Sequence, residues 1–289
     1  MSVPDVPGFD PDPKTPERRA PDGACDCHMH IFGPAERYPW SPARGYTPPD
    51  ALLGDYRRLQ ERLGLERTVV VQPSVYGADN ACTRDAVVAL GAEGRGVAVL
   101  SPEVDEGTLA ELDADGFCGV RFNLVSKGGE SFEGIERMAA KVAPLGWHLQ
   151  FYIDRDTLFE ERERLSRLPV DLVFDHFGSM DAEGRVDQPA MRALLRLLDG
   201  GRAWVKISGA YRVDLGPAPW PAAAPFAARL IGHAPERLVW GTDWPHPSVE
   251  GPMPNDGDLL DALWTWCAGD SRLYHRILVD NPARLYGFG

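Results

Sequence analysis

Positive charge is scarce in this chain: 30 Lys and Arg stand against 43 Asp and Glu, a formal net charge of -13. Nucleic acids and anionic membrane surfaces are held by clustered Lys and Arg that displace counterions, so the balance argues against both as partners. A small acidic molecule stays open, because a few cations gathered in one cleft suffice to bind it. Long apolar runs are missing too. Nothing approaches the roughly 20 residues that span a bilayer. The opening stretch MSVPDVPGFDPDPKTPERRAPDG has neither the basic start nor the apolar centre of an export signal, which sets a cytoplasmic expectation. Cysteine is sparse and odd in number: Cys25, Cys27, Cys82, Cys118 and Cys267 are scattered over 289 residues. That usage fits reduced thiols with no disulfide. Cys25 and Cys27 read as small buried residues rather than soft metal ligands. No glycine-rich dinucleotide turn follows the first apolar run, and beyond the N-terminal arm there is no low-complexity segment.

What is present is ordinary globular composition, 44% hydrophobic and 25% charged, in a chain long enough to bury one large core. Residues 1–23 are rich in Pro, Asp and charge and read as an extended arm. Thereafter short runs rich in Val, Ile and Phe alternate with stretches whose apolar residues recur three and four apart. The runs are ACDCHMHI, RTVVVQP, GVAVLSP, FCGVRFN, WHLQFYI, VDLVFDH, AWVKISG and RLVWGTD, eight strand-helix units over residues 24–289. Nearly continuous apolar strands alternating with helices mean a parallel sheet covered by helices, and eight units predict a closed (β/α)8 TIM barrel in a single domain. An open doubly wound sheet is the rival. Residues 31–50, with Pro, Gly and four aromatics, form a long connection of the kind that acts as a lid.

Alternation along a strand places Asp26, His28 and His30 on one face and Cys25, Cys27 and Met29 on the other. Other polar residues fall at strand ends, where barrel enzymes build their sites: Gln72, Ser74, Arg121, Asn123, Tyr152, Asp175, His176 and Asp243. Three imidazoles and a carboxylate converging on one mouth serve either a divalent metal or acid-base chemistry. His148, His233 and His275 read as packing or helix-end residues.

The stretches CDCHMHIFGP, GVRFN, FDHFG, GTDWPHP and NPARLYGF together resemble the amidohydrolase-2 branch of the amidohydrolase superfamily, especially its 2-pyrone-4,6-dicarboxylate lactonase-like members, from about residue 21 to the end. The resemblance implies a (β/α)8 barrel that hydrolyses a small anionic lactone. His28 and His30 are then the strand-one pair, His176 the strand-six histidine, and Asp243 the strand-eight aspartate that activates water while histidines and arginines polarise the carbonyl. Arg121, Arg212, Lys127, Ser74, Tyr152 and His246 are the candidate substrate-binding residues. The lactonases it resembles carry arginine where Lys127 stands and again at Ser179, so the expected substrate widens to a monocarboxylated lactone, a sulfonated muconolactone or a sugar-acid lactone. No metal is expected to be obligatory; a zinc or manganese ion, if held, has His28, His30, His176 and Asp243 as candidate ligands. Two further readings remain: a metal-dependent, non-oxidative decarboxylase of the same superfamily, and a non-catalytic barrel that binds a small acid. The sequence sets no oligomeric state, and a homo-oligomer stays open.

Overall fold

A computed structural model describes residues 3–125, 132–249 and 251–289, so Lys127 lies outside the described residues. Among these, eight strands form one parallel sheet in chain order: β1 Cys25–Met29, β2 Arg67–Val71, β3 Gly94–Ala98, β4 Phe117–Asn123, β5 His148–Tyr152, β6 Leu172–Phe174, β7 Ala203–Lys206 and β8 Leu238–Val239. Helices α1 Leu53–Leu63, α2 Ala81–Leu90, α3 Glu106–Ala114, α4 Ile135–Val142, α5 Arg155–Leu165 and α6 Pro189–Asp199 alternate with the strands, as their periodicity predicts. After β7 come a short α7 Ala210–Val213, which the sequence reading passes over, and α8 Ala224–His233. After β8 come α9 Asp256–Trp266, α10 Ser271–His275 and α11 Asn281–Tyr286. Together they make a (β/α)8 barrel.

Alternation sorts the side chains into two cores. Cys25, Cys27, Val69, Val71, Val97, Val173, Trp204 and Val239 fill the barrel, and Tyr286 and Phe288 belong to the same cluster. Val70, Val120, Phe122, Leu149, Phe151, Phe174 and Val205 point outward against the helices. Each fully buried aliphatic or aromatic side chain contributes about 1.5–3 kcal/mol. The five cysteines are free thiols.

The first strand departs from strict alternation. Its pairing with β2 shifts register between Asp26 and Met29. Cys25 and Cys27 therefore face the barrel interior, Asp26 faces Tyr56 on α1, and beyond the irregularity His28 and His30 face inward. The expectation that Asp26 shares a face with the two histidines is corrected by this bulge, which lets consecutive residues Cys27 and His28 point the same way.

The N-terminal segment lies against the helices. Ala20 N donates to Leu63 O at 3.0 Å, Lys14 pairs with Asp258 and Asp261, and the Phe9 ring sits 4.8 Å from that of Trp244. Within 31–50, Phe32 bridges to Ala51 and Trp40 stacks on Tyr76 at 4.9 Å, which directs Tyr46 toward the C-terminal end of the barrel.

Candidate active site

Three strand ends meet at the mouth, and two of them carry backbone that non-glycine residues adopt at a cost. His176 (φ 48°) opens a tight turn, His176–Gly178, directly after β6, and Asp243 (φ 65°) follows β8. Such conformations persist where surrounding contacts over-determine them. Asp26 supplies those contacts on one side. Its Oδ2 accepts from Tyr56 Oη at 2.9 Å and Thr242 Oγ1 at 2.6 Å, and its Oδ1 accepts from the amides of His28 and Thr242, each at 3.0 Å. Burial pushes the Asp26 carboxyl up to about 6 despite these bonds. Asp26 thus ties the first strand to the last and does not line the mouth. Gly241 makes the close approach possible, since a Cβ there would lie 2.6 Å from His28 N.

Asp243 is the centre. Its Oδ2 accepts from Tyr211 Oη at 2.6 Å and Arg212 Nε at 2.8 Å, both brought in by α7. Its Oδ1 has no hydrogen-bond partner among the described residues, yet it faces Nε2 of His28 at 3.6 Å, of His30 at 3.6 Å and of His176 at 3.8 Å. Burial, the largest single influence, opposes ionisation, but Arg212 together with the facing His176, His30 and His28 outweighs it and holds the carboxyl well below the usual aspartate value. The imidazoles go the other way. Burial lowers His28 and His30 and brings His176 down to about 4, so all three are neutral at pH 7.

The tautomers follow from what the other ring nitrogens touch. His30 Nδ1 lies 2.7 Å from the Val71 carbonyl, which can only accept, so Nδ1 carries the proton and Nε2 presents a lone pair. His28 Nδ1 has two neighbours, the Lys206 ammonium at 3.3 Å and Asp175 Oδ1 at 3.2 Å. Either Lys206 donates to it, leaving Nε2–H, or it donates to Asp175, leaving a second lone pair. His176 Nδ1 meets Ser208 Oγ at 3.0 Å.

Beneath the histidines lies a buried ionic network. Lys206 Nζ donates to Gln150 Oε1 at 2.7 Å and pairs with Asp175 Oδ1 at 3.5 Å. Arg121 Nε and Gln150 Nε2 donate to Asp175 Oδ2 at 3.3 and 3.0 Å. Lys206→Met removes a fully buried partner, which typically costs on the order of 3 kcal/mol. A urea melt of the purified variant is expected to show that loss; a midpoint equal to the parent's would mean the lysine is not coupled to the network.

A cavity of about 150 Å3 opens above Asp243, lined by His30, Tyr46, Pro73, Ser74, Arg121, Asn123, Tyr152, His176, Arg212, Pro247 and Ser248. Of the residues singled out from sequence, His30, His176, Asp243, Ser74, Arg121, Asn123, Tyr152 and Arg212 meet here, and His28 adjoins them from below. His246 does not reach the cavity. It is buried behind it, with Nδ1 3.3 Å from Tyr211 Oη and Nε2 3.2 Å from Asp256 Oδ1. Sequence reasoning passed over Tyr46, Tyr211, Ser248 and Lys206. For Lys206 a signal existed, a charge inside the otherwise apolar run AWVKISG; the others sit on loops or a one-turn helix whose direction no periodicity reveals.

His28, His30 and Asp243 bring one donor atom each within 4.8 Å of one another, as do His28, Asp175 and His176. The unpartnered, buried His28 Nε2 and Asp243 Oδ1, with the lone pair on His30, make a donor set that fits a divalent cation.

Known proteins resemble this chain along most of its length. It is 38% identical over 274 residues to a 4-sulfomuconolactone hydrolase of Hydrogenophaga intermedia, covering 92% of this chain and 89% of that one. It is 36% identical over 285 residues to a 2-pyrone-4,6-dicarboxylate hydrolase of Comamonas testosteroni, covering 95% and 93%. A crystal structure from Acinetobacter baumannii, described as a probable 2-pyrone-4,6-dicarboxylic acid hydrolase with citric acid bound, superposes with a TM-score of 0.82 at 26% identity, covering 92% and 100%. The amidohydrolase family profile matches residues 25–288, and the chain therefore belongs to the amidohydrolase family.

Proposed function

We propose that the chain hydrolyses a small lactone carrying an anionic substituent, with Asp243 as the general base. The observation that carries this reading is the asymmetry of Asp243: one oxygen is held by Tyr211 and Arg212, and the other, buried and without a hydrogen-bond partner among the described residues, faces three imidazoles at the base of a cavity that also presents Arg121. The relatives named as sulfomuconolactone and pyrone dicarboxylate hydrolases support it, and so does the citrate in the Acinetobacter structure.

Asp243 Oδ1 takes a proton from the water that attacks the lactone carbonyl carbon. The ring C–O bond then breaks, and the departing oxygen recovers the proton, leaving a hydroxy acid or its keto form. Arg121 and Arg212 grip the anionic substituent, with Tyr46, Ser74 and Tyr152 adding point contacts. The tautomers divide the histidines. Neutral His30 offers only an acceptor at Nε2, so it does not polarise a carbonyl by hydrogen bonding; His28 can donate from Nε2 when Lys206 donates to its Nδ1.

A divalent ion held by His28, in the tautomer whose Nδ1 donates to Asp175, with His30 and Asp243 and with His176 beside them, would supply a Lewis acid and a more acidic water. The sequence reading set no obligatory metal, whereas the donor set favours one, and we take the donor set. Exhaustive chelation is expected to abolish most turnover, with recovery on adding zinc or manganese and about one ion per chain by elemental analysis. Turnover that survives in metal-free protein would return the mechanism to Asp243 acting alone.

Protonating the imidazoles removes the lone pairs they present and adds positive charge, so activity is lost on the acid side. In metal-free protein the His176 ring is expected to stay neutral from pH 7 down to about 5 and to protonate near 4, which its ring-proton NMR shifts would follow. A midpoint near the ordinary histidine value of about 6.5 would contradict a buried, neutral ring.

The direct test is a panel of carboxylated, sulfonated and sugar-acid lactones followed by acid release at constant pH. One acid equivalent per lactone consumed supports the proposal. Because the same donor set suits a metal-dependent decarboxylase, carbon dioxide is measured in parallel with carboxylated aromatic acids. Its release without lactone turnover would replace the proposal.

A further inference from the structure

A second, wider cavity of about 530 Å3 shares no lining residue with the site at the mouth. Its walls include Arg18 and Arg19 from the N-terminal segment, Arg272 and His275 from α10, and Arg276 and Asp280 from the turn that follows. Its position is fixed by two sets of bonds. Arg19 Nη2 donates to Glu61 O and Ala20 N to Leu63 O, at the C-terminal end of α1, and Asn281 Nδ2 donates to Pro235 O and Leu238 O, where β8 begins. In a barrel both places belong to the end opposite the catalytic mouth.

The charge of this cavity runs against that of the chain. Four guanidiniums line it against one carboxylate, and that carboxylate, Asp280, is already engaged by His275 Nδ1 at 3.3 Å. Two of the arginines are pinned in place: Arg18 stacks over Trp264 at 5.0 Å, and Arg19 is held by the Glu61 carbonyl at 3.0 Å. Among the described residues, the side chains of Arg272 and Arg276 make no hydrogen bond and no ion pair. In a chain with a net charge of -13, acidic side chains are plentiful, yet none besides Asp280 lines this cavity. Guanidinium forks gathered without carboxylates match the paired, negatively charged oxygens that phosphate and carboxylate groups present.

We propose that this groove is a second ligand site, which binds a small polyanion bearing two or more phosphate or carboxylate groups. It is independent of the lactone site and of the reaction assigned there. A polyphosphate and a polycarboxylate share the chemistry that four arginines recognise, and the test separates them.

Inorganic pyrophosphate and citrate are titrated separately into the intact protein by calorimetry, at constant ionic strength with chloride as the reference salt. The parent, the double variant Arg272→Gln/Arg276→Gln and Arg121→Met are compared. The expected result is a saturable binding component, for at least one of the two anions, with Kd below about 1 mM, weakened at least tenfold in the double variant and retained in Arg121→Met, which removes only citrate held at the catalytic mouth. Lactone turnover of the double variant should equal the parent's. Binding of pyrophosphate alone, or of citrate alone, supports the site and names the ligand's chemistry. No saturable heat with either anion overturns the proposal. So does binding that survives in the double variant but is lost in Arg121→Met, because the anion then occupies the catalytic mouth only.

Discussion

Asp243→Asn is expected to lower kcat for lactone opening by about a thousand-fold, within the range that a positioned general base contributes. The substitution keeps shape and one acceptor oxygen, so Tyr211 Oη and Arg212 Nε, 2.6 and 2.8 Å from Oδ2, retain a partner. What it removes is the charge on Oδ1, the oxygen that faces three imidazole Nε2 atoms and has no hydrogen-bond partner among the described residues. An amide there neither takes a proton from water nor serves as a good cation ligand, so the loss should appear in kcat with or without added zinc. Single-turnover kinetics on protein whose thermal melt matches the parent's make the check. A variant that retains the parent's kcat would remove Asp243 from the chemistry.

Arg121→Met is expected to act on binding instead. Arg121 is buried at the end of β4, spends Nε on Asp175 and one terminal nitrogen on the Gln72 carbonyl, both at 3.3 Å, and still faces the cavity. A charge-assisted bond from such an arginine to a substrate carboxylate contributes about 2–3 kcal/mol, so its removal should raise KM on the order of 100-fold. Uncharged lactones of the same ring size should be spared. That contrast separates a substrate clamp from a structural role, since lost support for Asp175 would damage turnover of both classes alike. Equal losses would assign Arg121 to the ionic network beneath the histidines.

The barrel was readable because its signal is repeated: eight apolar runs followed by helical spacing leave few architectures. The polar residues at strand ends were readable for a related reason, since charges such as Arg121 and Asp243 have no place in a closed apolar layer unless they face the mouth. Asp26 shows where that logic stops. Period-two alternation put it with His28 and His30, but the register shift in β1 turned it outward to Tyr56. A bulge of one residue leaves no trace in the hydrophobic pattern when every neighbour is buried. Tyr46 and Ser248 were hidden differently, because loop residues reach the cavity through contacts distant in sequence, such as Trp40 on Tyr76.

The join between the first strand and the last reaches beyond geometry. Cys27 N bonds to Trp240 O, Asp243 N to His28 O and His30 N to Trp244 O, and the Asp26–Thr242 bonds lock the same edge. Two of the three imidazoles that Asp243 faces are thus separated from it by more than 200 residues of chain, and they meet it only when the two ends of the sheet close on each other. A ribosome-bound or truncated chain lacking the last strand has no catalytic centre at all, however well its remaining units are packed. During refolding, enzymatic activity therefore returns with the final closure of the ring, while helix content, supplied by units that form locally, can return before it.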